Sequence, residues 1–390
     1  MRTTLAERNG MTGHPNNLAL VLGGGGARAA YQVGLLRSVA KSCPDLRFPI
    51  LTGVSAGAIN TAFLANHADG FPSGVEQLAA LWEQMTVDKI FRTDTFALAE
   101  TAFRWGMRLV SGGARLAPKP RGLVNTAPLR RFLRRVLNAK DGTLRGVQEN
   151  IRTGRLKAVG ITTTDYATEQ SITWVDGRDV TPWQRPQRRS VAATLTVEHV
   201  MASCALPLFF PAIRLDNSWH GDGGVRLVAP LSPALHFGAE RIFVVSTRYQ
   251  KSQQEADRPV TRGYPAPATV LGVMLNAVFL DMVDYDALLM QRINRLLAAQ
   301  PAPNPSGLRP VELLTIRPSQ DLTMLAADYE ADLPRAFRYL VRGLGTRETE
   351  RPHLLATILF APEYIRRLIR IGEEDGEKRR DEIRAFLQGA

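Results

Sequence analysis

Leu18-Ala-Leu-Val-Leu-Gly-Gly-Gly-Gly-Ala-Arg28 and, further on, Phe48-Pro-Ile-Leu-Thr-Gly-Val-Ser-Ala-Gly57 decide how this chain reads. Each is a short apolar run that meets glycine and gives way to a helix-forming stretch. Leu18–Leu22 has the length and flanking glycines of a buried strand, closed by Gly23–Gly26. Ala27 to Val39 then predicts a helix with Ala30, Val33, Leu35 and Leu36 on its inner side. A second strand around Phe48–Leu51 runs into Gly53, and a helix of small residues follows from Ala56 to about Asn66. Two strand–glycine–helix units in succession predict a parallel α/β sheet.

Working outward, residues 74–140 read mainly as helices broken at Gly112-Gly113 and Pro118–Gly122, and residues 1–16 as a loose polar arm. Leu156–Thr164, Ser171–Val175, Arg241–Ser246 and Val311–Ile316 carry strand patterns. Residues 251–265 read as a linker, helices dominate beyond it, and Pro301–Pro310 is a Pro-rich loop. The expected organisation is an arm (1–16), an α/β domain (17–250) and a mainly helical C-terminal extension (251–390).

The chain has 390 residues, 45% hydrophobic and 22% charged, which excludes disorder, collagen-like repeats and a coiled coil as the whole answer. Its two cysteines, Cys43 and Cys204, are too few for a disulfide framework and are expected as core thiols in a reducing compartment. No apolar leader stands at the N-terminus, and the longest apolar run, Ala268–Leu280, is too short to span a bilayer and reads as a buried helix. The expectation is a soluble or peripheral protein, cytoplasmic, at most touching the inner membrane surface.

Three features carry chemistry. A serine on a sharp strand-to-helix turn, as in Gly53-Val-Ser55-Ala-Gly57, is pushed out of the backbone envelope toward a substrate, with the dipole of the helix from Ala56 behind it. The bland alternative is that Ser55 caps the helix. The run Gly23–Gly26, ahead of Ala27 and Arg28, lets backbone amides converge on an anion. A dinucleotide fits poorly, because Ala29 occupies the last glycine position and Asp45 is not at the end of a strand. The oxyanion of acyl transfer fits better, since both loops leave a parallel sheet at the same edge. The third feature is Trp219-His-Gly-Asp222-Gly-Gly224, an aspartate among glycines that allow close backbone approach; alone it reads as a turn aspartate. A Ser55, Asp222, His236 order is allowed on paper, but His236 lies in an apolar helical stretch and none of the six histidines stands out.

Together the glycine loop with Arg28, Gly-Val-Ser55-Ala-Gly, Ala202-Ser-Cys-Ala-Leu-Pro-Leu-Phe-Phe-Pro211, Asp222-Gly-Gly and Gly238-Ala-Glu-Arg-Ile-Phe-Val-Val245 resemble the patatin-like phospholipase family, over about residues 17–248. The resemblance implies a three-layer fold with a mixed central sheet flanked by helices. It implies a lipid acyl hydrolase acting on phospholipids or other acyl lipids through a Ser–Asp dyad, with no metal and no cofactor. Ser55 would be the nucleophile and Asp222 the base. The amides of Gly24, Gly25 and Gly26 would form the oxyanion hole, with Arg28, Gly53, Gly57, Gly223 and Gly224 as supporting positions. The family usually has glycine where this chain has Ala29, which bears on the oxyanion loop but not on Ser55 or Asp222. The rival expectation is a non-catalytic lipid-surface or scaffold protein that keeps the fold.

The net charge is +12, and residues 101–140 hold ten basic residues and no acid. Leu129–Leu137 places Leu129, Phe132, Leu133, Val136 and Leu137 on one helical face and Arg130, Arg131, Arg134 and Arg135 opposite. Such a helix fits docking on an anionic membrane, or a solvated surface helix whose apolar face is internal. No nucleic-acid module accompanies the charge, so no nucleic-acid partner is expected. The sequence does not indicate an oligomeric state.

Overall fold

The computed structural model describes residues 17–112, 114, 121–257, 264–279, 281–299, 308–349 and 351–389. The expected arm 1–16, Arg115 and Lys119 of the basic segment, part of the 251–265 linker and most of the Pro301–Pro310 loop lie outside the described residues.

The strands are β1 (Leu18–Leu22), β2 (Ile50–Val54), β3 (Ala158–Asp165), β4 (Gln170–Gly177), β5 (Gln184–Arg185), β6 (Arg188–Ala192), β7 (Ile213–Leu215), β8 (Ser218–Asp222), β9 (Arg241–Val245) and β10 (Glu312–Ile316). They form one mixed sheet in which eight follow the order β10-β9-β1-β2-β3-β4-β6-β5, while β8 pairs with β3 and β7 with β8 off this path. From β10 to β3 every pairing is parallel, as the two strand–glycine–helix units require. Beyond β3 the sheet turns antiparallel at β4.

Period-two alternation sorts the side chains into two layers. Leu18, Leu20 and Leu22 of β1 face a core shared with helices α1 (Ala30–Ser42), α2 (Ala56–Asn66) and α3 (Phe71–Glu83), and with the helix Pro362–Lys378 that packs along α1. Ala19 and Val21 face the other way, against Leu231, Ala234 and Phe237 and against Val283, Ala287 and Met290 of the helix Asp281–Ala298. The result is helix, sheet, helix. Residues beyond 250 contribute to all three layers: β10 extends the sheet, Pro362–Lys378 covers one face and Asp281–Ala298 the other.

One expectation about helices needs revision, and of the two readings of the basic helix the structure favours the internal apolar face. The Ala268–Leu280 run forms the helix Pro267–Phe279, but it is not buried: Val270, Val273 and Met274 are 48–59% exposed, and inward packing takes up only its opposite side. Apolar composition was the only basis for that reading, and composition does not report what covers a helix. In the basic helix Ala127–Val136, Leu129, Phe132 and Leu133 are buried in the protein's own core, and Arg130 and Arg134 pair with Glu198 at 2.9 and 3.5 Å. Its apolar face is therefore not available to a bilayer, and of the four arginines Arg131 and Arg135 remain exposed without an ion pair among the described residues.

Candidate active site

The register of β3 brings Ser55 and Asp222 together. Parallel β2 pairs along β3 as far as Val54 opposite Thr162. At the next residue, on the same edge of β3, antiparallel β8 begins its pairing with Asp222 opposite Thr163. Two strands approaching from opposite directions thus end within one residue step, about 3.4 Å, of each other along β3. Ser55 follows Val54 directly, so the serine turn and the aspartate meet end to end. Nothing local in either motif encodes this; it is set by where β2 stops and β8 starts on a common neighbour.

Ser55 has φ 54° and ψ −132°, a left-handed conformation that costs a non-glycine residue about 1–3 kcal/mol and persists only where its surroundings impose it. The flanking glycines are there for space. A Cβ on Gly57 would collide with the carbonyl oxygens of Leu22 and Gly23, and one on Gly53 with Thr61 and the Gly57 carbonyl. Ser55 is the N-terminal boundary of α2, but its side chain makes no capping hydrogen bond, so the bland capping role is not the one it plays.

The segment Ala202–Pro211, whose role the sequence leaves open, is the clamp that holds the pair. Ser203 Oγ accepts from the Ser55 amide at 2.9 Å and donates to the Thr162 carbonyl at 2.7 Å. Cys204 Sγ donates to the Ser55 carbonyl at 2.9 Å, and the Ala205 carbonyl accepts from the Asp222 amide at 3.0 Å. Three consecutive residues therefore fix both the serine turn and the aspartate strand. Cys43 and Cys204 are both free and buried, as expected.

Asp222 is fully buried. Its Oδ1 accepts from the Gly224 amide at 2.9 Å, while Oδ2 has no hydrogen bond of good geometry. Burial pushes its pKa up to about 7, even though the Ser55 side chain and the Gly224 amide both favour the charged form and pull it back. A carboxylate that would be an inert base near 4 is thereby tuned to neutral pH. A Cβ on Gly223 would strike the Thr162 carbonyl, which is why glycine follows the aspartate.

The glycine loop is held by its carbonyls. Gln32 Nε2 donates to the Gly23 carbonyl at 3.0 Å, Thr247 Oγ1 to Gly24 at 2.8 Å and Arg28 Nε to Gly25 at 3.2 Å. In a trans peptide the N–H points opposite to the C=O, so each clamp turns the following amide, on Gly24, Gly25 and Gly26, away from it. Gly25 and Gly26, at φ 147° and 60°, line the pocket that Ser55 opens into; Gly24 does not. Arg28 is buried, and burial lowers its pKa. Its guanidinium also reaches Thr357 Oγ1 at 3.3 Å and Asn276 Oδ1 at 3.4 Å. Ala29 is buried and is not a wall of the pocket.

The pocket is a cavity of about 50 Å³ whose walls, apart from Arg28 and Thr357, are mostly apolar, among them Ile59, Ile90, Leu129, Leu206, Phe210 and Phe360. Thr247, Asn276, Thr357, Leu275 and Phe360 were invisible as site residues in the sequence, because no local motif marks them. Among the described residues no histidine lines this pocket. His236 stacks on Trp183 with ring centroids 4.4 Å apart, His220 Nδ1 pairs with Thr163 Oγ1 at 3.1 Å, and His199 closes a capping box with Thr196. Burial lowers the pKa of all three, to about 4 for His199 and His236.

The model of the patatin-like phospholipase family matches residues 20–235, more than half of the chain. The protein belongs to the patatin-like phospholipase family. The match spans the glycine loop, Ser55 and Asp222, and family membership supports a lipid hydrolase. No protein of curated function matches the sequence. Similar solved structures include VipD from Legionella pneumophila (13% identity, TM-score 0.40, covering 96% of this chain and 67% of that one). Human GIVD cytosolic phospholipase A2 in complex with methyl gamma-linolenyl fluorophosphonate is another (12%, 0.46, 96% and 59%). The type III effector protein ExoU is a third (14%, 0.39, 96% and 53%). This chain thus spans roughly half to two-thirds of the length of these neighbours.

Proposed function

We propose that the protein hydrolyses acyl esters of phospholipids or related lipids, with Ser55 as nucleophile and Asp222 as its only general base. The observation that carries this reading is the juxtaposition on β3 of a strained serine turn and a buried carboxyl whose pKa is pushed up to about 7. In the first half-reaction Ser55 Oγ attacks the ester carbonyl carbon while its proton passes to Asp222. The oxyanion that forms is stabilised by the amides of Gly25 and Gly26, with the α2 N-terminus adding its dipole. Asp222 then returns the proton to the departing alcohol, leaving an acyl-Ser55 ester. Water, deprotonated by the same carboxylate, releases the fatty acid and restores the hydroxyl.

Arg28 is a positioning residue, because it contacts the Gly25 carbonyl rather than the reacting atoms. The mainly apolar walls suit an acyl chain, with Arg28 the charged side chain among them. The test is fatty-acid release from phospholipid in mixed micelles by wild type, Ser55→Ala and Asp222→Asn. Release by wild type and loss in both variants is expected. No release by wild type, with an intact fold, would favour the scaffold alternative.

A further inference from the structure

A cavity of about 50 Å³ holds a few water molecules; pockets that enclose a ligand are typically about 300–1,000 Å³. The Ser55 slot is therefore closed to an acyl chain. One of its walls is Leu275, on the helix Pro267–Phe279. Asn276, next along that helix, accepts from Arg28 and bonds His353 Nδ1 at 2.7 Å. The helix thus closes the slot with one residue and holds the positioner of the glycine loop with the next.

Its outer face is apolar and, among the described residues, uncovered. Val270, Val273 and Met274 are exposed, and so is Ala277, at the i, i+3, i+4, i+7 spacing of a single helical face. The helix Asp281–Ala298 repeats the pattern with exposed Tyr285, Leu288, Leu289 and Leu296. Its acids are engaged within the protein: Asp281, half-exposed, pairs with Arg248, Asp284 pairs with Arg248 and Arg317, and Asp286 accepts from the Leu231 amide. Its exposed Arg292 and Arg295 form no ion pair among the described residues. Taken together, Pro267–Ala298 is apolar and long enough to cross a membrane by length and composition, yet Val283, Ala287 and Met290 pack on the sheet. Its inner side is thus held by the protein, which leaves the outer face for contact with a partner.

We infer that the outer face of Pro267–Phe279, continued by Asp281–Ala298, is the surface by which the protein seats on an anionic lipid bilayer, and that seating draws Leu275 away from the Ser55 slot. This rests on the lipid hydrolase reading for its substrate. A lipid surface fits this face better than a second copy of the chain does, because the inner side of the same helix closes an apolar slot beside Ser55. The outward arginines match anionic head groups.

The test uses the double variant Val273→Glu, Met274→Glu. Neither residue lines the Ser55 slot. Co-flotation with phosphatidylglycerol/phosphatidylcholine vesicles does not depend on catalysis. Wild type is expected to float and the variant to lose at least tenfold in vesicle affinity, with both giving the same circular dichroism. Labelling of Ser55 by a fluorophosphonate is expected to accelerate at least tenfold with vesicles in wild type only, at equal rates for both proteins without vesicles. Equal flotation of the two proteins overturns the inference. So does a wild-type dimer that becomes monomeric in the variant while vesicle binding stays the same, since the face would then be covered by a second copy. If Ser55 fails to label under any condition but flotation still separates the two proteins, docking stands and the catalytic reading falls.

Discussion

Replacing Asp222 by Asn should abolish turnover and stabilise the fold at the same time. The carboxyl is fully buried and its pKa is raised from 3.8 to about 7. At about 1.4 kcal/mol per decade of proton affinity, the charged form in the folded protein is disfavoured by about 4 kcal/mol. Between pH 4 and 7 the unfolded chain has released this proton and the folded one retains it. Wild-type stability therefore falls as pH rises through that window and levels off above about 7. Asn keeps an oxygen for the Gly224 amide and never ionises. Its advantage should be absent near pH 4, grow with pH, and reach up to about 4 kcal/mol at pH 8. Denaturant unfolding of both proteins at pH 4, 6 and 8 reads this directly, and hydrolysis of a soluble ester should fall about 10²–10⁴-fold, the usual size of a general-base contribution. An Asn variant no more stable than wild type at pH 8, or one that keeps its activity, would refute the reasoning.

Three further outcomes follow from named contacts. Gly57→Ala should destabilise by at least about 1–3 kcal/mol, because its methyl meets backbone oxygens of Leu22 and Gly23 that cannot retreat without moving β1; thermal unfolding checks it. Ser203→Ala leaves the buried Ser55 amide and Thr162 carbonyl without their partner, a loss of about 1–3 kcal/mol, and should also lower the ester hydrolysis rate by loosening the serine turn. His236→Gln should retain most activity, since the ring stacks on Trp183 outside the pocket; a loss equal to that of Asp222→Asn in the same ester assay would indicate a triad.

The parts of the fold legible in the sequence were those written locally. Leu18–Leu22 and its glycines, and the serine turn with the helix to Asn66, appear where expected because a parallel strand must be apolar throughout and must end at a turn that glycine permits. The meeting of Ser55 with Asp222 was reached only through resemblance, since it depends on a register along β3 that no local pattern records. Two kinds of information were missing altogether. Pairings across long stretches of chain, such as Arg28 with Thr357 or Arg130 with Glu198, leave no trace in spacing. Coverage is equally silent: the apolar helix Pro267–Phe279 proved exposed, while the cationic helix Ala127–Val136 turned its apolar side inward.

The most direct measurement of the Ser55–Asp222 dyad is peptide mapping of a fluorophosphonate adduct, with its rate of formation followed against pH. A dyad gives one adduct, on Ser55, whose rate rises through about pH 7 as Asp222 ionises and then levels off, and it gives almost none in Asp222→Asn. An adduct on another residue, or a Ser55 that labels equally fast without the carboxylate, would contradict it.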